Sequence, residues 1–174
     1  MSTAIGRPQR SEAAPYYFGY IDRIKSEDVL GVFEQQLRDT SPRLDAISEE
    51  QSLARYEPGK WSIRELLGHV SDAERVFLSR AFWFARGFDT PLPSFDEKTC
   101  AGAAHADQVP WSRHVDEFRA IREATVAFFR NLPDEGWKRS GTASGNVFTT
   151  RALAYVIAGH LEHHLAILRE RYLR

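Results

Sequence analysis

Two of the six histidines in this 174-residue sequence stand four residues apart, in the stretch Gly159-His160-Leu161-Glu162-His163-His164. On a helical wheel at ~100° per residue, Leu153, Val156, Ile157, Leu161, Ile167 and Leu168 fall within about 80° of one direction, which marks a buried face. His160 and His164 fall within about 20° of its centre, so two imidazoles stack one turn apart and point inward. His163 sits at the border of that face. Two readings stay open for the pair. Each ring could be a core histidine satisfied by a hydrogen bond. Alternatively, a metal ion accepts both lone pairs, as on zinc-binding helices. His69 lies at the edge of another apolar arc, flanked by Leu66, Ala73 and Val76. If its helix neighbours the last one, the three histidines make a metal site with an open position for water or substrate. His105 and His114 read as ordinary polar residues.

Two charges also face inward. Glu74 falls among Leu67, Val70, Phe77 and Leu78, and Arg122 among Val115, Phe118, Val126 and Phe129. A buried charge needs a partner. One reading pairs Glu74 with Arg122 and uses the pair to set helix register. The other gives Glu74 a catalytic part, as acceptor for a ligating imidazole or as base for a metal-activated water. The one cysteine, Cys100, excludes an internal disulfide and a cysteine-based zinc site.

Four helical patterns must position these groups. The first runs from about Ser26, its expected cap, to Ile47, with Pro42 expected to kink or break it. The second opens on Pro58-Gly59 and a Ser62/Glu65 capping box and continues to about Arg86. The third runs from about Ser112 to Asn131, ended by Pro133. The fourth is capped by Thr149 and runs nearly to Arg174. Before the first helix, Met1 to Pro15 reads as a poorly ordered or extended arm. The cluster Tyr16, Tyr17, Phe18 and Tyr20 then packs the arm onto the domain. Residues Phe88 to Pro110 form a long connection between the second and third helices, too polar and irregular for a fifth core helix. Gly145-Asn146 could close a small hairpin within Trp137 to Phe148. The expectation is an all-α four-helix bundle over residues 21–174 with an N-terminal arm over 1–20. The long connection and the hairpin loop are the segments free to shape the mouth of a site.

Composition narrows the class. Hydrophobic residues make up 43% and charged residues 27%, and 23 Lys+Arg face 24 Asp+Glu for a formal net charge of −1. That balance gives no drive toward nucleic acid, and no recognition helix is evident. No apolar run approaches the ~20 residues needed to span a bilayer. Met1 to Arg10 lacks the apolar stretch of a signal peptide. A cytoplasmic protein is expected, with neither a membrane nor a nucleic acid as partner.

The stretch Tyr56-Glu57-Pro58-Gly59-Lys60-Trp61-Ser62-Ile63-Arg64-Glu65-Leu66-Leu67-Gly68-His69 resembles the start of the second helix in the DinB-like family. Gly141 to Asn146, Arg151 to Tyr155 and Gly159 to His164 resemble that family's final loop and helix. The resemblance spans roughly Ser26 to Arg174. It implies an up-and-down-type bundle that often dimerises, and a divalent metal, zinc or nickel, held by His69, His160 and His164. It also implies relatives that are metal-dependent hydrolases or thiol-dependent transferases using bacillithiol or mycothiol. A homodimer is therefore expected, with the Tyr16–Tyr20 segment and Phe82, Trp83 and Phe84 offering apolar surface.

Two functions follow as expectations. One is a divalent-metal-dependent enzyme acting on a small-molecule substrate, either a hydrolase or a transferase of a low-molecular-weight thiol. Cys100 does not supply that thiol. The other is a non-enzymatic, stress-related bundle protein that binds a metal or ligand. A fourth protein ligand, from His163 or Glu74, would close the shell and favour the second.

Overall fold

The computed structural model describes residues 5–173. Four long helices carry the fold: α2 (Val29–Asp45), α3 (Ile63–Ala85), α5 (Trp111–Arg130) and α7 (Thr150–Ile167). Three short ones join them: α1 (Phe18–Ile21), α4 (Glu97–Ala104) and α6 (Asp134–Lys138). Strands β1 (Ser140–Ala143) and β2 (Asn146–Thr149) form an antiparallel hairpin with Ser140 opposite Thr149. The architecture is a four-helix bundle.

Local chemistry sets the ends of the helices that matter. At α3, the Ser62 hydroxyl accepts from Glu65 N–H at 3.1 Å, and Glu65 accepts from Ser62 N–H at 2.8 Å. At α7, Thr149 Oγ1 accepts from Ala152 N–H at 3.0 Å. Both caps match the sequence reading. At α2 the cap is Asp28 rather than Ser26, accepting from Gly31 N–H at 3.0 Å. Pro42 does not break α2. It lies in the last turn, so its missing N–H removes little of the ladder. The left-handed pair in the hairpin turn is Ser144-Gly145, at φ 52° and 72°, one residue earlier than the sequence signal. The long connection is not all irregular: it holds α4, capped by Asp96.

Helix order around the bundle brings the histidines together. α2 packs on α5 and α7, and α3 packs on α5 and α7, so the consecutive long helices α2 and α3 lie diagonally. A simple up-and-down order would make them neighbours. The α3–α7 contact places His69 beside His160 and His164.

The apolar core is split in two. One cluster takes Val29 and Phe33 of α2, Phe77 and Ala81 of α3, Val126 and Phe129 of α5, and Leu153 to Ala158 of α7. The other takes Leu44, Leu66, Leu67, Val70, Trp111, Val115, Phe118, Leu161 and Leu168. On each long helix a buried polar residue falls at the divide: Gln36, Glu74, Arg122 and His160. Arg122 donates to Glu74 Oε2 at 2.8 Å and to Gln36 Oε1 at 2.7 Å. Gln36 Nε2 donates to Ala158 O at 3.0 Å. One network thus ties α5, α3, α2 and α7 at a single level. Sliding any helix by a turn would strand a buried charge, so the network fixes register.

The arm is ordered from residue 5 onward; the part of the expected arm over residues 1–4 lies outside the described residues. Arg10–Glu12 and Pro15–Tyr17 form 3₁₀ turns, not an extended strap. Glu12 accepts from Thr149 Oγ1 at 2.7 Å and pairs with Arg151, while Arg7 and Arg10 both reach Asp22. α1 lies directly on α7. A Cβ on Gly159 would stand 2.1 Å from Tyr20 O, so only glycine permits this approach. Phe84 is fully buried under the hairpin, which removes it from the expected apolar surface; Phe82 is 43% exposed. Among the described residues no helix is long and apolar enough to cross a membrane.

Candidate metal centre

His69 lies nearly two turns into α3, and His160 and His164 lie on successive turns of α7. All three are buried. Their Nε2 atoms converge: His160 Nε2 is 3.1 Å from His69 Nε2 and 3.1 Å from His164 Nε2. Among the described residues these three form the one cluster of ligand-type atoms lying within 4.8 Å of one another. A tetrahedral ion with bonds of ~2.0–2.1 Å spaces its ligand nitrogens roughly 3.3 Å apart, close to the spacing here.

Electrostatics keeps the rings neutral. Burial lowers all three pKa values, and the neighbouring imidazoles lower them further. His160 is held down to about 3 and His164 to about 2. Glu97 opposes the fall at His69. Neutral imidazoles carry lone pairs, the form a metal requires. The donor set fits such an ion. Three nitrogens converge, and protons on some of them can satisfy only part of the set, whereas a cation accepts every lone pair. His69 Nδ1 and His164 Nδ1 are buried without a partner. Ring packing therefore fixes orientation: Trp61 lies 4.9 Å from His69, and Tyr20 meets His160 edge-on at 5.3 Å.

His163 is half-buried beside Tyr20, at 5.5 Å between rings, and is not in the cluster. Neither is Glu74, whose two oxygens are engaged by Arg122 and by Thr125 Oγ1 at 2.7 Å. His105 is exposed, with φ 47° at the end of α4. His114 departs from the sequence reading. It is buried, with Nε2 2.9 Å from Ala106 O, because α5 packs beneath the end of the long connection.

A cavity of about 150 Å³ borders His69 and His160 and opens past Tyr16, Tyr20, Phe95, Glu97 and Ser144. His164 faces the other side, toward Lys60, Trp61 and Tyr172. The rim comes from both segments expected to shape a mouth. Leu92 N–H donates to Thr142 O at 2.9 Å, and Ser144 N–H donates to Leu92 O at 3.1 Å, joining the connection to the hairpin. Two site residues escaped the sequence reading. Glu97 has a carboxylate oxygen 4.0 Å from His69 Nε2. Arg80 is buried in the cavity wall, donating to Pro93 O at 3.0 Å and Ser144 Oγ at 2.9 Å. The spacing of Arg80 from His69 by eleven residues, three helical turns, was the available signal.

Residues 32–168 match the model of the DinB superfamily. This chain belongs to that superfamily. A relative from Oceanobacillus iheyensis, named "Putative metal-dependent hydrolase OB0413", is 23% identical over 128 residues, 72% of this chain and 73% of its own. Among solved structures, YfiT from Bacillus subtilis superposes with a TM-score of 0.70 at 18% identity, over 94% of this chain and 89% of its own. It is described as "a probable metal-dependent hydrolase with an unusual four-helix bundle topology". The mycothiol-dependent maleylpyruvate isomerase superposes with a TM-score of 0.65 at 14% identity over 83% of this chain, which spans 61% of that longer chain. At these identities the superpositions establish the shared fold.

Proposed function

We propose that this DinB-superfamily protein is a divalent-metal-dependent enzyme acting on a small molecule, by hydrolysis or by transfer of a low-molecular-weight thiol. The observation that carries this reading is the convergence of three neutral imidazoles beside a cavity with an outlet. His69, His160 and His164 hold the ion, zinc or nickel by their nitrogen donor set. A divalent ion there supplies Lewis-acid activation of a water or thiol nucleophile. The names of the relatives, a metal-dependent hydrolase and a mycothiol-dependent isomerase, support the same chemistry.

The chain's own residues supply the rest. Glu97, at the cavity rim and near His69, is placed to take the proton that the nucleophile loses. Glu74 keeps its charge on Arg122 and positions α3 against α5. Tyr20 and Phe77 wall the His160 side and limit water there. No cysteine of the chain enters the reaction, so the thiol of a transfer comes from the cosubstrate.

The test is to strip the protein, reload one equivalent of zinc, nickel or cobalt, and assay ester and amide hydrolysis alongside conjugation of a small thiol to an electrophile. Activity restored by metal, kept in Cys100→Ser and lowered by about 10²–10⁴ in Glu97→Gln is the expected result. Activity that ignores metal, or its absence in every metal-loaded form, contradicts the proposal.

A further inference from the structure

Arg80 is 4% exposed and has no acidic side chain within 4.0 Å among the described residues. Its Nη2 hydrogen bonds end on neutral acceptors, Pro93 O and Ser144 Oγ, and the Tyr17 hydroxyl is a further neutral partner. The other buried arginines differ: Arg64 pairs with Glu49, and Arg122 pairs with Glu74. A buried guanidinium without a carboxylate is costly, and burial lowers the Arg80 pKa. The cost is borne at the wall of the cavity that reaches His69 and His160.

The surroundings of this cation are built rather than incidental. Ser144, whose hydroxyl accepts from Arg80, is fixed in position by the left-handed Ser144-Gly145 turn of the hairpin. The Phe77 ring lies between the two ends of the cavity: 5.8 Å from the guanidinium carbon and 6.0 Å from the His160 ring. Tyr16, Tyr17, Tyr20 and Phe95 complete an aromatic wall. Arg80 also borders an outer cleft of about 330 Å³ beside Leu92 and Pro93, which gives an approach from solvent. Glu97, the acid of the cavity, stands near His69 and not near Arg80.

We propose that Arg80 and Ser144 form an anion subsite, and that the substrate is a small organic carboxylate with a flat apolar body. Its carboxylate sits on Arg80, its body lies along Phe77, and its far end reaches the histidines. This deepens the three-histidine reading, on which the reactive end depends. The subsite itself can be measured without metal, so the two ideas fail separately.

The probes are benzoate and the neutral isostere benzamide, titrated into the full chain in metal-loaded and metal-stripped forms by calorimetry and NMR. Wild-type protein should bind benzoate at least ~10-fold tighter than benzamide in both forms, because a charge-assisted hydrogen bond exceeds a neutral one. Arg80→Gln should abolish that preference by weakening benzoate far more than benzamide, and keep the metal content of wild type. Should Arg80→Gln fail to fold, the Arg80 side-chain NMR signal of wild type decides. A shift with benzoate but not benzamide supports the subsite, and no shift overturns it. Equal binding of the two probes, no saturable benzoate binding, or benzoate selectivity retained in Arg80→Gln also overturns it. Benzoate selectivity in a wild-type protein that takes up no zinc or nickel on loading would refute the metal reading and leave the subsite standing.

Discussion

Gly159→Ala tests how the arm is docked at the site. An added Cβ would lie 2.1 Å from Tyr20 O and 2.5 Å from Tyr20 C. Those are backbone atoms, so no rotamer change relieves the clash; α1 must move by about an ångström to restore van der Waals contact. Alanine gains up to ~1 kcal/mol over glycine inside α7. Overpacking costs ~1–3 kcal/mol when neighbours shift. If α1 lifts off, Phe18 and Ile21 lose burial at about 1.5–3 kcal/mol each. The loss wins, and destabilisation by about 2 kcal/mol is expected from urea unfolding, as a lower midpoint with little change in slope. Tyr20 should also leave His160, which its ring signals would report. Gly19→Ala is the control: it has open space within 4 Å and lies in the same short helix, so it should be neutral or slightly stabilising. A Gly159→Ala protein as stable as wild type would refute the close α1–α7 contact and with it the Tyr20 wall.

Three other outcomes follow from the site. Glu74→Gln should cost about 3–5 kcal/mol, because Arg122 loses its carboxylate, yet keep the metal content of wild type; a stable variant that loses metal would give Glu74 the role denied to it here. Folded-state pKa values of about 3 and 2 for His160 and His164 lie below the ordinary histidine value near 6.5. The unfolded chain therefore binds more protons below that pH, and the metal-free protein should lose stability as pH falls through 6.5, by about 2 kcal/mol per ring at pH 5. Unfolding midpoints that stay flat between pH 7.5 and 5 would contradict this. His163→Ala should retain metal affinity within a few-fold while His164→Ala loses it, as read by competition with a chelator; equal losses would mean His163 ligates.

Much of this was legible because it is local. The Ser62/Glu65 box and the Thr149 cap are encoded within four residues, and the wheel phase of α7 follows from its own apolar spacing. The Glu74–Arg122 pair was legible as two inward charges of opposite sign. What escaped depends on distant segments. Arg80 looks like a surface arginine near a helix end until Pro93 and Ser144 close over it from the connection and the hairpin. Glu97 belongs to an eight-residue helix with a weak apolar stripe, and its approach to His69 comes from α4 packing on α3. His114 is buried by Ala106, in a turn with no periodic signal. The diagonal placement of α2 and α3 is likewise absent from either helix alone, because both are amphipathic and either order would bury their stripes.

The central claim is that His69, His160 and His164 together hold one divalent ion. Elemental analysis of the purified protein beside the triple variant His69→Ala/His160→Ala/His164→Ala, each shown to be folded by circular dichroism, tests it most directly. One metal ion per chain in the wild type, with the metal lost in the variant, is the predicted result. A folded wild-type protein that takes up no zinc or nickel at stoichiometric loading, or a triple variant that retains the metal, would contradict it.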